Sequence, residues 1–168
     1  MTKRNKSRIT GRGWLIWLRI VLALVVVGGG LLSLRVCDFT WLQGGRAAKF
    51  QVRLVRVADG DTITVRDLRG EELKVRLVGI DTPELGTAAS FRSALYAAEL
   101  LEGAREIWLE PDTKRATDKY GRTLGWVWVT TTSGEQVLLQ EELLRADLAE
   151  LYRDAKGSKY YRRLERVR

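Results

Sequence analysis

No histidine occurs anywhere in the chain, and Cys37 is its one cysteine. The first absence removes Ser-His and Cys-His nucleophile pairs and histidine-ligated zinc. The second removes any intrachain disulfide. Acidic residues are missing from one stretch: residues 1–37 carry seven of the 29 bases (Lys3, Arg4, Lys6, Arg8, Arg12, Arg19, Arg35) and none of the 21 acids. The formal charge of +8 is therefore concentrated there, and the other 22 bases and 21 acids leave residues 38–168 at +1. Catalysis in such a chain has to be built from carboxylates, arginine, lysine, tyrosine and a hard metal ion.

What the first 37 residues do contain is an apolar run, Trp14–Leu34, interrupted by Arg19. A membrane-spanning helix needs about 20 mostly apolar residues. The run meets this if Arg19 snorkels to the headgroups from its place near one end. Residues 14–36 are thus expected to form a transmembrane helix after a basic cytoplasmic tail, 1–13, since basic flanks stay inside. The domain would then lie on the periplasmic or extracellular side. A cleaved signal segment is the alternative, with Ile20–Val27 as its core and the glycines as its exit; the domain would then be secreted. A lipoprotein reading of Cys37 fits poorly, because Arg35 and Val36 stand where small residues belong. Residues 37–48 read as a linker.

From residue 49 the pattern changes to short alternating runs, the mark of half-buried strands. Strands are expected over 49–57, 62–67 and 73–80, with turns at Asp59-Gly60 and around Gly70. An Ala/Leu-rich stretch, 88–104, is expected to be a helix burying Phe91, Leu95, Ala98 and Leu101 and stopping at Gly103. Strands follow at 106–110 and 123–131. Trp126 and Trp128 on one face of the latter are read as packing residues rather than base-stacking ones. A turn and helix are expected over 134–151, then a short last helix from Ser158. The fold class is α+β: a five-stranded OB-type β-barrel with about three helices, in a domain spanning 49–168.

Three charged clusters fall at strand edges. They are Asp59-Gly60-Asp61-Thr62, Arg76 leading to Asp81-Thr82-Pro83-Glu84, and Asp118-Lys119-Tyr120-Gly121-Arg122. Each has a plain reading as a hairpin turn, a helix start or a polar loop. Those readings account for the glycines and for Pro83, but not for Arg76 among apolar neighbours. Arg76 and Asp81 would lie on opposite faces of a flat strand, and a bend near Gly79 would bring them together.

In order and spacing, "DGDT", "VRLVGIDTPE" and "TDKYGR" resemble the three signature segments of the staphylococcal-type nucleases. The resemblance covers roughly residues 50–161. It implies an OB-fold barrel that hydrolyses DNA and RNA phosphodiesters with calcium. It further implies that Asp61 and Asp81 are calcium carboxylates, with the Thr82 carbonyl as another ligand. Glu84 would be the general base, and Arg76 and Arg122 would bind the scissile phosphate. Tyr120, Lys119 and Tyr152 would contact substrate, and Asp59 would brace the metal carboxylates from behind. The chemistry is consistent: Ca²⁺ prefers oxygen ligands, and guanidinium matches phosphate oxygens bidentately. The near-neutral domain implies modest, salt-sensitive affinity for nucleic acid. A monomer is expected. Two other readings stay open. One is a non-catalytic nucleic-acid-binding OB module at the membrane. The other is a membrane assembly protein whose span and basic tail serve partners or anionic lipid.

Overall fold

The structure, a computed structural model, describes residues 48–167. The tail 1–13, the expected span 14–36 and nearly all of the linker 37–48 lie outside the described residues. Among the described residues no helix is long and apolar enough to cross a membrane.

Alternation of apolar and polar residues builds a meander of three strands: β1 (Phe50–Asp59), β2 (Thr62–Asp67) and β3 (Glu72–Leu77). Two register shifts in β1, between Leu54 and Arg56 and between Val57 and Asp59, coil it so that its two ends serve different neighbours. Its start pairs with β5 (Glu106–Pro111) and most of its length with β2. β6 (Thr123–Thr130) pairs antiparallel with β5 and, at its other edge, parallel with β3. That last pairing closes β1, β2, β3, β5 and β6 into a five-stranded barrel, which removes exposed sheet edges. A short β7 (Gln136–Leu138) adds to β6. Ile63, Val65, Val75, Leu77, Leu109 and Trp126 are buried at the core.

The expected third strand stops early. After Leu77 the chain turns at Val78-Gly79 and resumes as a two-residue strand, β4 (Ile80–Asp81), which pairs with β8 (Glu150–Leu151). Gly79 has φ +85°, and a Cβ there would sit 2.8 Å from Leu164 Cδ1, so both conformation and space demand glycine.

Among the described residues three α-helices pack on the barrel: α1 (Ala88–Glu102), α2 (Leu139–Arg145) and α3 (Tyr161–Leu164). α1 starts where expected, capped reciprocally by Thr87 and Ser90, and Gly103 ends it. Its buried face corrects the sequence reading. Phe91 and Leu95 are 68% and 47% exposed, whereas Ser90, Ser93, Ala97 and Leu101 face inward. Small residues let the helix lie close on the barrel: a Cβ on Gly60 would be 2.5 Å from Ser93 Cβ. Ser93 Oγ also donates to the Leu148 carbonyl at 2.7 Å, so its hydroxyl is satisfied in the interface.

The turn and helix expected over 134–151 are a turn, the short strand β7, the two-turn helix α2 and the strand β8. Gln140, in the first turn of α2, is fully buried. Its side chain accepts from Val127 N–H and donates to the Gly125 carbonyl, completing the edge of β6. Asp147, at φ +56°, then turns the chain out of α2. The last helix is likewise only one turn, preceded by a 3₁₀ turn, Arg153–Ala155. Buried acids tie this tail to the barrel. Glu110 accepts from Tyr160 Oη at 2.9 Å and pairs with Lys159; Glu141 pairs with Arg163. Trp126 and Trp128 do pack rather than stack on ligands. Each meets the Tyr160 ring edge-on at 5.3 Å, and their indoles donate to Asp112 and Glu110.

Candidate active site

The β1–β2 hairpin turn places Asp61. Asp59 Oδ1 accepts from the Asp61 N–H at 3.0 Å, a side-chain-closed turn that the Asp-Gly dipeptide favours. Asp59 thus shapes the loop that presents Asp61. One step further, Thr62 stands opposite Arg76 in the β2–β3 ladder, and Leu77 N–H bonds the Asp61 carbonyl at 2.8 Å. The ladder therefore fixes Arg76 beside Asp61.

The Gly79 turn brings Asp81 to the same guanidinium. Arg76 Nη1 lies 2.9 Å from Asp61 Oδ2, and Nη2 lies 2.7 Å from Asp81 Oδ1. Nη1 also donates to the Ile80 carbonyl at 3.0 Å. The Arg76 side chain is 14% exposed, held by the turn it spans. Thr82 turns back on Asp61: its N–H and its hydroxyl both donate to Asp61 Oδ2, at 3.1 and 3.0 Å. The Thr62 hydroxyl donates to the other oxygen at 3.0 Å.

This corner carries three carboxylates, Asp59, Asp61 and Asp81, against one guanidinium. Burial pushes the Asp61 carboxyl up to about 6; Arg76 opposes the rise, and the nearby Asp59 adds to it. Among the described residues no three histidine, cysteine or acidic side chains converge as a metal cage. The donor set nevertheless suits a hard divalent cation. It offers two carboxylates, one buried and one open to solvent, with an uncompensated negative charge between them and no soft ligand.

The third cluster lies beside this corner, where the start of β6 pairs with β3. Asp118 Oδ1 accepts from the N–H groups of Tyr120 and Arg122, both at 2.9 Å, and its Oδ2 accepts from Arg122 Nε at 2.6 Å. Burial raises the Asp118 carboxyl, but those bonds outweigh it and hold it below the ordinary value. The guanidinium also reaches the Thr62 hydroxyl, at 3.4 Å, and lies over the Tyr120 ring at 5.5 Å. Tyr120 is exposed, with Lys119 Nζ 4.9 Å from its ring centre. Asp118 is the residue that residue-by-residue reasoning missed as a participant. The signal for it was the Asp-to-Arg spacing of four within one loop.

Arg76, Asp81, Lys119, Tyr120, Arg122 and Tyr152 all line one open cleft of about 870 Å³. Tyr152 directly follows β8, the strand that pairs with β4, and its N–H bonds the Gly79 carbonyl at 3.0 Å. Asp61 sits behind Arg76, and the Thr82 donors sit behind Asp61. Glu84 is placed differently: it is exposed on the approach to α1, and its backbone carbonyl accepts from the Thr87 hydroxyl at 3.0 Å. Its carboxylate meets no other described side chain. The structure also adds Lys114, Arg115 and Asp154 to the cleft, none of which the motifs flagged.

A family model of staphylococcal nuclease homologues matches residues 74–168. The chain is 34% identical over 121 residues to the thermonuclease of Staphylococcus hyicus, covering 68% of this chain and 67% of that protein. It is 38% identical over 101 residues to the thermonuclease of Staphylococcus intermedius, covering 54% and 56%. Against the micrococcal nuclease of Shigella flexneri the identity is 41% over 81 residues, 48% of this chain and 44% of that one. The chain thus spans about two thirds of the first relative and about half of the other two.

Proposed function

The chain belongs to the family of staphylococcal nuclease homologues, and from that membership and the geometry of the cleft we propose that it is a calcium-dependent nuclease. It would hydrolyse phosphodiester bonds in DNA, RNA or both. The observation that carries the reading is the pair of arginines facing one cleft, each fixed by its own carboxylate: Arg76 by Asp61 and Asp81, Arg122 by Asp118. Guanidinium groups locked in place bind phosphate oxygens without losing their own freedom at the moment of binding, and they stay charged at any working pH.

In the proposed mechanism Asp61, Asp81 and the Thr82 carbonyl would hold calcium. The ion, when bound, offsets phosphate charge and polarises the phosphorus centre. Arg76 and Arg122 clamp the phosphate from two sides and meet the charge that grows on its oxygens. Tyr120 and Lys119 contact a neighbouring phosphate. Glu84 accepts a proton from the attacking water as the water oxygen bonds phosphorus and the ester bond breaks. Its exposed position on the approach to α1 suits a residue that meets substrate and water rather than protein. Asp59 keeps the Asp61 turn closed, and Thr62 and Thr82 orient the Asp61 oxygens.

The test is incubation of the purified protein with single-stranded DNA, duplex DNA and RNA, in calcium and in chelator. Degradation in calcium alone supports the enzyme. A salt-sensitive mobility shift with no degradation supports the second reading, a non-catalytic OB-fold binding module.

Export and tethering are part of the same proposal. Basic residues at 3–12 followed by the apolar run 14–36 support a cytoplasmic N-terminus with the barrel outside. Protease protection in intact cells tests this, and a barrel shielded from external protease would refute it.

A further inference from the structure

The cleft contains an acid that its proposed chemistry does not use. Asp154, in the 3₁₀ turn beside Tyr152, lines the same cavity as Arg76 and Arg122. Its side chain takes one hydrogen bond, from the Tyr152 phenol to Oδ2 at 3.2 Å, and forms no ion pair with any described residue. Lys114, Arg115 and Lys119 line the same cavity. An acid present only to balance them would pair with one of them. Asp154 instead lines the cavity with one carboxylate oxygen, Oδ1, that takes no hydrogen bond from any described residue.

A carboxylate repels phosphate and accepts hydrogen bonds only, so on a nucleotide it must meet a donor. Tyr152 indicates which donor. Its ring is 44% exposed in the cleft, a platform of the kind on which unpaired bases stack. Asp154's hydrogen bond, and then its charge, push the Tyr152 phenol above its ordinary value, so the phenol remains a donor to Asp154. Tyr152 is anchored to the turn between Arg76 and Asp81, its N–H bonding the Gly79 carbonyl at 3.0 Å, and all three residues line the same cleft. A base lying on that ring presents its edge beyond the phenol tip, where Asp154 stands.

We propose that Asp154 reads the edge of the base stacked on Tyr152 and selects guanine in single-stranded substrate. This rests on the nucleic-acid reading of the cleft given above. Guanine alone carries two adjacent donors, N1–H and the N2 amine, that match both carboxylate oxygens. Thymine and uracil offer one N–H between two carbonyls that repel the carboxylate. Adenine and cytosine offer one amine beside an acceptor nitrogen. The guanine edge is free only in an unpaired strand. A two-point contact of this kind discriminates by about ten- to a hundredfold.

The experiment uses the full chain in calcium with short oligothymidylates carrying one internal guanine, adenine or cytosine. The expected kcat/KM for the guanine substrate exceeds that for unsubstituted oligothymidylate about tenfold or more. In Asp154→Asn the side chain keeps its shape but offers one acceptor and one donor, which no longer match the two donors of guanine, so the guanine preference is expected to be lost. Equal rates on all four substrates, or a guanine preference that persists in Asp154→Asn, would overturn the inference while leaving the nuclease intact. If nothing is cleaved, the nuclease reading fails, and fluorescence anisotropy on the same oligonucleotides decides this inference by itself. Tighter binding of the guanine strand supports it, and equal binding refutes it.

Discussion

Arg76 reaches Asp81 across a turn: its Nη2 lies 2.7 Å from Asp81 Oδ1, though five positions separate the two on what the sequence writes as one strand. The same guanidinium contacts Asp61 on another strand at 2.9 Å. One side chain therefore joins a hairpin turn, a barrel strand and the approach to a helix. Breaking a buried pair leaves an uncompensated charge, so Arg76→Ala is expected to cost about 3 kcal/mol of stability in chelator. Calcium should recover part of that loss by binding the folded state. Urea unfolding with and without calcium measures both; a cost below about 1 kcal/mol would mean the bridge contributes little.

The turn itself is equally testable. Gly79→Ala forces a side chain into φ +85° and against Leu164 Cδ1. A destabilisation of about 2 kcal/mol is expected, together with a loss of cleavage beyond what the unfolded fraction explains, because Asp81 no longer meets Arg76. Gly121→Ala, at φ +76° but with no atom within 4 Å of the new Cβ, should cost less. Equal costs at the two sites would show that packing against Leu164 is unimportant.

Asp118 gives a pH signature. Its carboxyl lies below the ordinary 3.8 in the fold and near that value in the unfolded chain, so the unfolded state takes up the proton first as pH falls. The stability it contributes is fully present above 3.8 and is lost as pH drops through the folded value. Asp118→Asn has no such charge to lose. Its unfolding midpoint should fall less steeply than the wild type's in that window. Parallel curves would place the Arg122 clamp elsewhere. The variant should also lower kcat about tenfold or more by loosening Arg122.

The face of α1 separates two readings of one helix. Leu101→Ala is expected to cost about 2–5 kcal/mol, as buried leucines do. Phe91→Ser should stay within about 0.5 kcal/mol, because Phe91 is 68% exposed. Thermal melts of the two variants check this, and a large cost at Phe91 would restore the face first read from hydrophobicity.

Much of the barrel was legible because period-two alternation survives in β1, β2 and β3, and because Asp-Gly and Gly70 mark the turns between them. The Arg76–Asp81 contact was legible as a problem of strand parity that only a bend at Gly79 could resolve, and Gly79 does bend the chain. The α1 face was not legible. Helical periodicity ranks residues by apolarity, but the barrel wall selected Ser93 and Ala97 for their size. The role of Gln140 was hidden for a similar reason: a buried glutamine that serves another strand's backbone looks like an ordinary helical residue. Asp154 carries no motif, and only the fold puts it in the cleft.

The most direct measurement is single-turnover cleavage of a single-stranded oligonucleotide by wild type and Glu84→Gln, with calcium affinity determined calorimetrically on the same preparations. The account predicts wild-type cleavage in calcium and none in chelator. In Glu84→Gln it predicts a rate at least about a hundredfold lower with calcium affinity unchanged. Equal rates for the two proteins, or no calcium-dependent cleavage by the wild type, would contradict it.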